Sequence, residues 1–192
     1  KFFDECKINY AENCLIREDH DDSIIFHSEK KIKRSYSWRE LRSAVFKFAN
    51  YLKNNNIEKN DRIAAILPNI PETVISFLST AQLGAIWSSC SSDFGKKAII
   101  DRFKQIEPKV LLFSDYYFYN NKKVDTTKII KDVVYNIPSI EKIILIPYEF
   151  NEKDYQLDFE YDNLCKILQQ EIAYSKFEKF NFFNSSSTKP LN

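Results

Sequence analysis

Residues 62–90 read RIAAILPNIPETVISFLSTAQLGAIWSSC, and this stretch decides the fold. It begins with a short apolar strand, Arg62–Leu67, and continues through Glu72–Leu83, which has the length and composition of a helix. Pro71 stands in the first turn of this helix, where proline is tolerated, and Gly84 suits a left-handed position after the last turn. Ala85–Ser89 is the next apolar strand. The stretch therefore predicts two parallel strands joined by a helix.

The same alternation continues toward the C-terminus. It contains two further helices, Lys96–Ile106 and Thr126–Ile137, and two further strands, Val110–Phe113 and Lys142–Ile146. Short, continuously apolar strands separated by helices are typical of a parallel sheet that is covered on both faces. The predicted fold class is α/β, a partial doubly wound parallel sheet flanked by helices. Its four strands are fewer than the five or six typical of that fold.

Toward the N-terminus the sequence predicts a β-hairpin and a long amphipathic helix. Ser23–His27 and Ile32–Tyr36 are short strands separated by a polar turn. Ser37 and Glu40 have the spacing of a capping box, in which the hydroxyl and the carboxylate each bond to the other's backbone N–H. Apolar residues then recur at helical spacing on one face: Trp38, Leu41, Val45, Phe48, Ala49 and Leu52.

These patterns divide the chain into three parts. Residues 1–20 are a lead-in with a turn or two of helix, residues 21–175 form one incomplete domain, and residues 176–192 are a tail without periodicity that we expect to be irregular and poorly ordered. The pattern weakens near the end of the domain, where 149–162 is a long loop or an additional strand and 162–174 is predicted to be a helix.

Composition narrows the class of function. The 28 lysines and arginines nearly balance 27 aspartates and glutamates, so the net charge is +1, which argues against a nucleic-acid or anionic-membrane partner. No apolar run approaches the ~20 residues of a membrane span, and the first residues contain no signal-peptide core. We therefore expect a soluble, cytoplasmic protein.

The numbers and positions of the glycines, histidines and cysteines exclude several kinds of functional site. There are 2 glycines, Gly84 and Gly95, eleven positions apart, which matches neither a Walker A loop nor the dinucleotide fingerprint. The four cysteines include no Cys-x-x-Cys pair, so no metal site is predicted. The two histidines, His20 and His27, lie in the lead-in and the first hairpin, which gives little support to a serine nucleophile with a histidine base. No catalytic residue is predicted.

Ligands of open parallel sheets bind beyond the carboxyl ends of the strands. Three predicted loops lie there: Pro68–Pro71, Ser88–Gly95 and Ser114–Asp125. In the second, Ser91, Ser92 and Asp93 precede a helix N-terminus, whose backbone N–H groups attract anions. The alternative is that these side chains simply cap the helix.

The third loop places tyrosines and a phenylalanine beside Lys122 and Lys123. This combination suits a base stacked on an aromatic ring with a phosphate on the ammonium groups. The alternative is an exposed loop with solvated lysines and half-buried tyrosines.

Three segments resemble one known family, the acetoacetyl-CoA synthetases, which are adenylate-forming acyl-CoA synthetases: Leu67–Ile75, Leu83–Gly95 and Asp101–Val110. Ile8–Asn13 and Tyr119–Lys122 also resemble that family, so the likeness covers roughly residues 1 to 147. The specific feature is the WSSC run at 87–90, because the wider superfamily shares the preceding Leu-Gly-Ala step but not that run.

The resemblance implies an acid–thiol ligase. Such an enzyme converts acetoacetate, ATP and CoA, with Mg²⁺, into acetoacetyl-CoA, AMP and diphosphate by way of acetoacetyl-AMP. In relatives the loops that match Ser91–Asp93 and Lys122–Lys123 lie near bound CoA, so the resemblance implies CoA contacts at Ser91, Ser92, Asp93, Lys122 and Lys123. The implied partners are these small molecules and the remainder of the same enzyme chain.

Departures from the family pattern qualify this expectation. The family's phosphate loop, Ser-Ser-Gly-Thr-Thr-Gly-x-Pro-Lys, is matched in composition only by Ser185–Pro190, which lacks both glycines. Ser92 stands where the family has proline, Asn121 where it has glycine, and Cys14 where it has leucine. The chain also contains no methionine. We therefore expect an N-terminal part of an acetoacetate–CoA ligase that is inactive alone, has an exposed apolar sheet edge and holds no complete cofactor site.

Three alternatives remain open at this point. The chain could derive from an acetyl-CoA or other short-chain acyl-CoA synthetase, since that enzyme is the next relative. It could be a non-catalytic module that binds CoA or a nucleotide. A purely structural or interaction protein is the third, which rests only on the lack of catalytic groups.

Overall fold

The computed structural model describes residues 8–153 and 155–170, and nine strands and six helices lie within these ranges. In chain order they are α1 (Tyr10–Cys14), β1 (Asp22–His27), β2 (Lys33–Ser37), α2 (Trp38–Asn54), β3 (Arg62–Ile66), α3 (Pro71–Gln82), β4 (Ile86–Cys90), α4 (Lys96–Ile106), β5 (Val110–Phe113), β6 (Tyr116–Tyr119), β7 (Lys122–Asp125), α5 (Thr127–Asn136), β8 (Lys142–Leu145), β9 (Asp162–Asn163) and α6 (Leu164–Gln169). None of the described helices is long and apolar enough to cross a membrane.

A parallel sheet forms the centre of the fold, in the strand order β4-β3-β5-β8-β9. The predicted α/β class is therefore confirmed, but the count of four strands is wrong. The fifth strand, β9, pairs two residues with β8, at Ile144↔Asp162 and Leu145↔Asn163. A strand of two residues after an irregular segment has no apolar pattern of its own. The sequence therefore predicts residues 149–162 only as either a long loop or an additional strand.

Successive side chains of each strand point to opposite faces, and both faces are covered. Ile63 and Ala65 of β3 pack under α2 and α6, whereas Ala64 and Ile66 pack under α4 and α5. A third apolar cluster joins α1, α2 and α3. The outer strand β4 has one sheet neighbour within the described residues, and its Ile86 is 48% exposed, which agrees with the predicted apolar edge.

The predicted N-terminal hairpin and capping box are confirmed. β1 and β2 pair antiparallel, and α2 begins after Ser37, whose Oγ accepts from the Glu40 backbone N–H while the Glu40 carboxylate accepts from the Ser37 N–H at 2.8 Å. The short lead-in helix α1 packs on α3, where Asn9 Nδ2 donates to the carbonyl oxygens of Ala81 and Gln82. Gly84 has a φ of +70°, as predicted for its position after α3.

The prediction of a loop at Ser114–Asp125 is wrong, because most of this segment is a β-hairpin. β6 and β7 pair antiparallel through a two-residue turn at Asn120 and Asn121, which have φ values of 49° and 59°. Tight hairpin turns of this kind need positive φ at both central positions, and asparagine tolerates that conformation better than other non-glycine residues. The aromatic run before the turn supplies a strand-forming segment.

Two further boundaries are corrected. Ser88, Ser89 and Cys90 belong to β4, so the second predicted loop is confined to 91–95. The predicted helix 162–174 begins later, because Asp162 and Asn163 form β9, and it ends at Gln169 within the described residues. Residues 1–7 and the tail 176–192 lie outside the described residues, and the three-part division of the chain stays a prediction.

Candidate functional site

The carboxyl ends of β3, β4, β5 and β8 meet at one edge of the sheet, which we call the carboxyl edge. Residues 91–95, the base of the β6–β7 hairpin and the segment after β8 all lie there. All three predicted loops, including Pro68–Pro71 after β3, therefore follow carboxyl ends of strands at this edge, as the topology requires.

The N-terminus of α4 lies at this edge without a side-chain cap. Its N-cap residue is Gly95, and no side chain accepts from its first turn, so the capping alternative for Ser91, Ser92 and Asp93 is wrong. Those residues form a tight turn instead, in which Phe94 N donates to Ser91 O at 3.2 Å. A helix N-terminus with uncapped N–H groups carries partial positive charge and favours an anion.

Ser92 differs from its two neighbours. Ser91 and Asp93 are exposed, whereas Ser92 is 4% exposed and its Oγ has no hydrogen-bond partner among the described residues. Leaving a buried hydroxyl unpaired costs about 1–3 kcal/mol, so such a group at a ligand edge suggests that a partner is missing.

Lys122 and Lys123 are both exposed on β7. The Nζ of Lys123 lies 3.5 Å from the centroid of the Tyr116 ring, a cation–π contact that holds the ammonium group at the surface of the hairpin. Burial raises the pKa of Tyr117, and the charge of Asp93 raises it further. The turn before α4 and the lysine-bearing hairpin are therefore electrostatic neighbours.

Asp115 fixes the base of the hairpin, and sequence analysis missed it. The residue is 3% exposed, and its Oδ1 accepts from the backbone N–H of Tyr116 at 3.0 Å and of Tyr148 at 2.8 Å. Its Oδ2 accepts from the Tyr155 hydroxyl, and burial followed by this hydrogen bond raises the pKa of that hydroxyl. An aspartate two residues after the end of a buried strand was the available signal.

A buried ion pair lies next to this network and was also missed. Arg34 donates to Glu72 through both terminal nitrogens, at 2.6 and 3.0 Å, and Tyr36 Oη donates to the same carboxylate at 2.9 Å. Arg34 Nη2 also donates to the carbonyl of Tyr148 at 3.3 Å. Burial raises the pKa of Glu72, which is fully buried, while the Arg34 charge lowers it. Nothing in the local sequence distinguishes these two residues from surface ones.

A separate cleft of about 760 Å³ lies beside the start of β8 and β9. Aromatic and charged residues line it, among them Tyr51, Lys142, Tyr155, Phe159 and Tyr161. None of the predicted site residues borders this cleft.

The carboxyl edge is equipped to bind an anion. It offers the uncapped backbone N–H groups of α4 and exposed ammonium groups, together with the buried Ser92 hydroxyl and the exposed carboxylate of Asp93. Residues 8–153 and 155–170 contain no group of three or more histidine, cysteine, aspartate or glutamate side chains that could hold a metal ion. Cys90, at the end of β4, is buried, and burial raises the pKa of its thiol, which disfavours the nucleophilic thiolate.

Known proteins share this sequence and fold. The chain is 40% identical over 148 residues to the acetoacetyl-coenzyme A synthetase of Rhizobium meliloti, which covers 77% of the chain and 22% of that protein. It is 34% identical over 191 residues to the acetoacetyl-CoA synthetase of Macaca fascicularis, which covers 95% of the chain and 28% of that protein. The acetoacetyl-CoA synthetase structure from Streptomyces lividans matches with a TM-score of 0.78 and 31% identity, covering 86% of the chain and 25% of that structure.

These matches confirm the resemblance to acetoacetyl-CoA synthetases that the sequence motifs predict. The chain spans about a quarter of the length of the relatives it matches. In addition, the family model described as "AMP-binding enzyme" matches residues 16–171, which is most of the chain. The chain belongs to the family of AMP-binding enzymes.

Proposed function

We propose that this chain is part of an acetoacetate–CoA ligase and that its carboxyl edge binds CoA. The single observation that carries the CoA assignment is the unpartnered, buried Ser92 hydroxyl beside the uncapped N-terminus of α4. The relatives described above are acetoacetyl-CoA synthetases, which favours acetoacetate over acetate or another short acid as the substrate of the whole protein.

The proposed reaction joins acetoacetate to CoA at the expense of ATP, with AMP and diphosphate as the other products. We propose that the whole protein uses ATP and Mg²⁺ for this reaction. The described residues do not fit either group, since they contain no candidate metal cluster and the 192-residue sequence contains no pair of glycines spaced for a phosphate loop. The proposed contribution of this chain is therefore to bind CoA.

The residues of the carboxyl edge suit the phosphate groups of CoA. The N–H groups at the start of α4 can donate to a phosphate oxygen, and the Ser92 hydroxyl can donate beside them. Lys122 and Lys123 act as compact positive charges at the hairpin surface, and Ser91 and Asp93 border the same turn.

Two substitutions test the CoA assignment. We expect Lys123→Gln to weaken CoA binding to the 192-residue chain about fivefold at low salt, because a phosphate contact loses its charge. Ser92→Ala should also weaken binding, yet should not lower the stability of the free chain, because the hydroxyl has no protein partner among the described residues. Isothermal titration calorimetry and urea unfolding measure the two effects.

The matched control is Lys104→Gln. Lys104 is equally exposed but lies in the last turn of α4, near Ile106, whose carbonyl accepts from Arg62 at the opposite edge of the sheet. This variant should bind CoA as the wild-type chain does. Equal affinities for all four proteins, or no binding at millimolar CoA, would remove the assignment.

A further inference from the structure

The longest uncharged stretch of the sequence runs from Thr73 to Ser92, through most of α3 and all of β4. It contains no aspartate, glutamate, lysine, arginine or histidine, although 29% of the residues of the whole chain are charged. Helices and strands that face water normally carry charged side chains on that side. The side of the molecule formed by α3 and β4 therefore lacks the charges that are typical of a solvent-exposed surface.

The strand β4 ends the sheet on this side without the usual protection of an edge strand. Its 5 residues pair with β3 in unbroken register, and none of the described residues pairs with its other side. Edge strands are ordinarily protected by a lysine, a proline, a bulge or a very short length. Since β4 has none of these, its outer N–H and C=O groups form an open row with which a further strand can pair.

The opposite edge of the described sheet is protected. The strand there, β9, has only 2 residues, and the Asp162 carboxylate in it accepts from Lys142 Nζ at 3.0 Å and from the Tyr51 hydroxyl. A short strand with a charged side chain disfavours the addition of a further strand. Of the two edges of this sheet, β4 is therefore the one that is open to pairing.

Apolar side chains flank β4 on both faces of the sheet. On one face the rings of Tyr10, Phe77 and Trp87 form a row, with centroids 5.6 Å apart for the first pair and 6.0 Å apart for the second. Tyr10 is 58% exposed, and Val74, one turn before Phe77 in α3, is 41% exposed. On the other face Ile86 is 48% exposed. We call β4 together with Tyr10, Val74 and Phe77 the open edge.

We propose that the open edge binds a second copy of this chain, with the two β4 strands paired antiparallel about a two-fold axis. A strand edge flanked by apolar side chains favours a partner strand that brings no charge, because a charge buried there without a counter-charge is costly. The open edge itself meets this requirement, and a two-fold axis lets each copy present it to the other. An antiparallel strand at the edge of a parallel sheet is common, so this pairing suits the fold.

The size of the open edge predicts a weak dimer. An aromatic side chain buries about 150–250 Å² when it is covered completely. The rings of Phe77 and Trp87 are already partly covered by their own chain. The surface therefore falls near the lower limit of specific interfaces, about 600 Å² per partner. We expect a dissociation constant in the micromolar range, and assembly that stops at the dimer because each copy has one open edge in its described sheet.

Sedimentation velocity of the 192-residue chain tests this inference between about 1 µM and about 200 µM, which brackets that range. We expect the wild-type chain to pass from monomer to dimer. Ser89→Lys places a charge on an exposed position of β4 and should weaken dimerisation about tenfold. The matched control, Tyr135→Lys, replaces a ring that is 88% exposed on α5 and should leave dimerisation unchanged. Because Ser89 is exposed, the unfolding temperature at the lowest concentration should be the same in Ser89→Lys and the wild-type chain.

Hydrogen exchange locates the contact. The backbone amides of β4 should exchange more slowly at the highest concentration than at the lowest one in the wild-type chain, and at equal rates in Ser89→Lys. A wild-type chain that stays monomeric at every concentration would overturn the inference and leave the open edge to the rest of the whole protein. Equal dimerisation of Ser89→Lys and the wild-type chain, or species that grow beyond the dimer, would also overturn it.

This inference goes beyond the proposed function and does not depend on CoA binding. A chain that dimerises through β4 but binds no CoA would overturn the proposed function alone. A monomeric chain that binds CoA would overturn the dimer alone.

Discussion

Asp115→Ala is expected to lower the free energy of unfolding by about 3–5 kcal/mol, because it leaves several buried donors without an acceptor. The backbone N–H groups of Tyr116 and Tyr148 and the hydroxyl of Tyr155 all donate to this carboxylate. Each unsatisfied buried group costs about 1–3 kcal/mol, and the smaller side chain also leaves a cavity. Urea unfolding followed by circular dichroism measures the loss.

Two variants control for the nature of this effect. Asp115→Asn keeps one carbonyl oxygen as an acceptor for the two backbone donors, so it should lose clearly less stability than the alanine variant. Asp132→Ala removes an exposed carboxylate that pairs with Lys96, and it should change the stability little. An Asp115→Ala chain as stable as the Asp132→Ala chain would show that Asp115 does not hold the hairpin base.

Arg34→Met is expected to lower the free energy of unfolding by about 3–5 kcal/mol near neutral pH, because it leaves the Glu72 carboxylate buried without its counter-charge. The loss should depend on pH. With Arg34 absent, burial of the Glu72 carboxyl is opposed only by its hydrogen bonds from Tyr36 and the backbone, so its pKa lies further above the value in the unfolded chain. Such a group takes up a proton on folding, so its contribution to stability is present at low pH and is lost as the pH rises. The penalty should therefore be smaller at pH 5 than at pH 8.

A second substitution in the same pair tests the cause. Glu72→Gln in the Arg34→Met background removes the uncompensated charge, so the double variant should regain much of the lost stability and lose the extra pH dependence. Arg17→Met, which breaks an exposed ion pair with Asp19, serves as the control and should change stability little. If Arg34→Met were equally destabilised at both pH values, charge burial would not be the reason.

The two buried groups act on the same segment of backbone. Asp115 accepts from the N–H of Tyr148, and Arg34 donates to the carbonyl of the same residue. The ring of Tyr148 in turn packs on Tyr116 and Phe118, with centroids 5.3 and 5.4 Å away. The chain after β8 is thus held at its backbone and its side chain, and it supports the rings of Phe118 and Tyr116, over which Lys30 and Lys123 lie.

The parallel sheet could be predicted because its signals are local. Strands β3, β5 and β8 are largely apolar runs, and Pro71, Gly84 and Pro108 mark helix boundaries within the same stretch. The β6–β7 hairpin was missed since its turn uses two asparagines where glycine is the usual signal. β9 could not be predicted with certainty, because its two residues are a strand only through pairing with β8.

The candidate site was predicted in part. The loops carrying Ser92 and Lys123 were placed at the correct edge, since the carboxyl ends of parallel strands must coincide. The capping role weighed for Ser91–Asp93 was wrong, because the turn closes at Phe94 and leaves Gly95 as the N-cap residue. The burial of Ser92, Asp115 and Glu72 and the meeting of Glu29 with Asn121 depend on tertiary packing, which has no periodic trace in the sequence.

The most direct test of CoA binding at the carboxyl edge is a map of backbone amide chemical shifts in the ¹⁵N-labelled 192-residue chain during a titration with CoA. Binding there predicts shift changes at the amides of 91–97 and around Lys122 and Lys123, and none around the cleft beside β9. Shift changes confined to that cleft, or no changes at millimolar CoA, would contradict it.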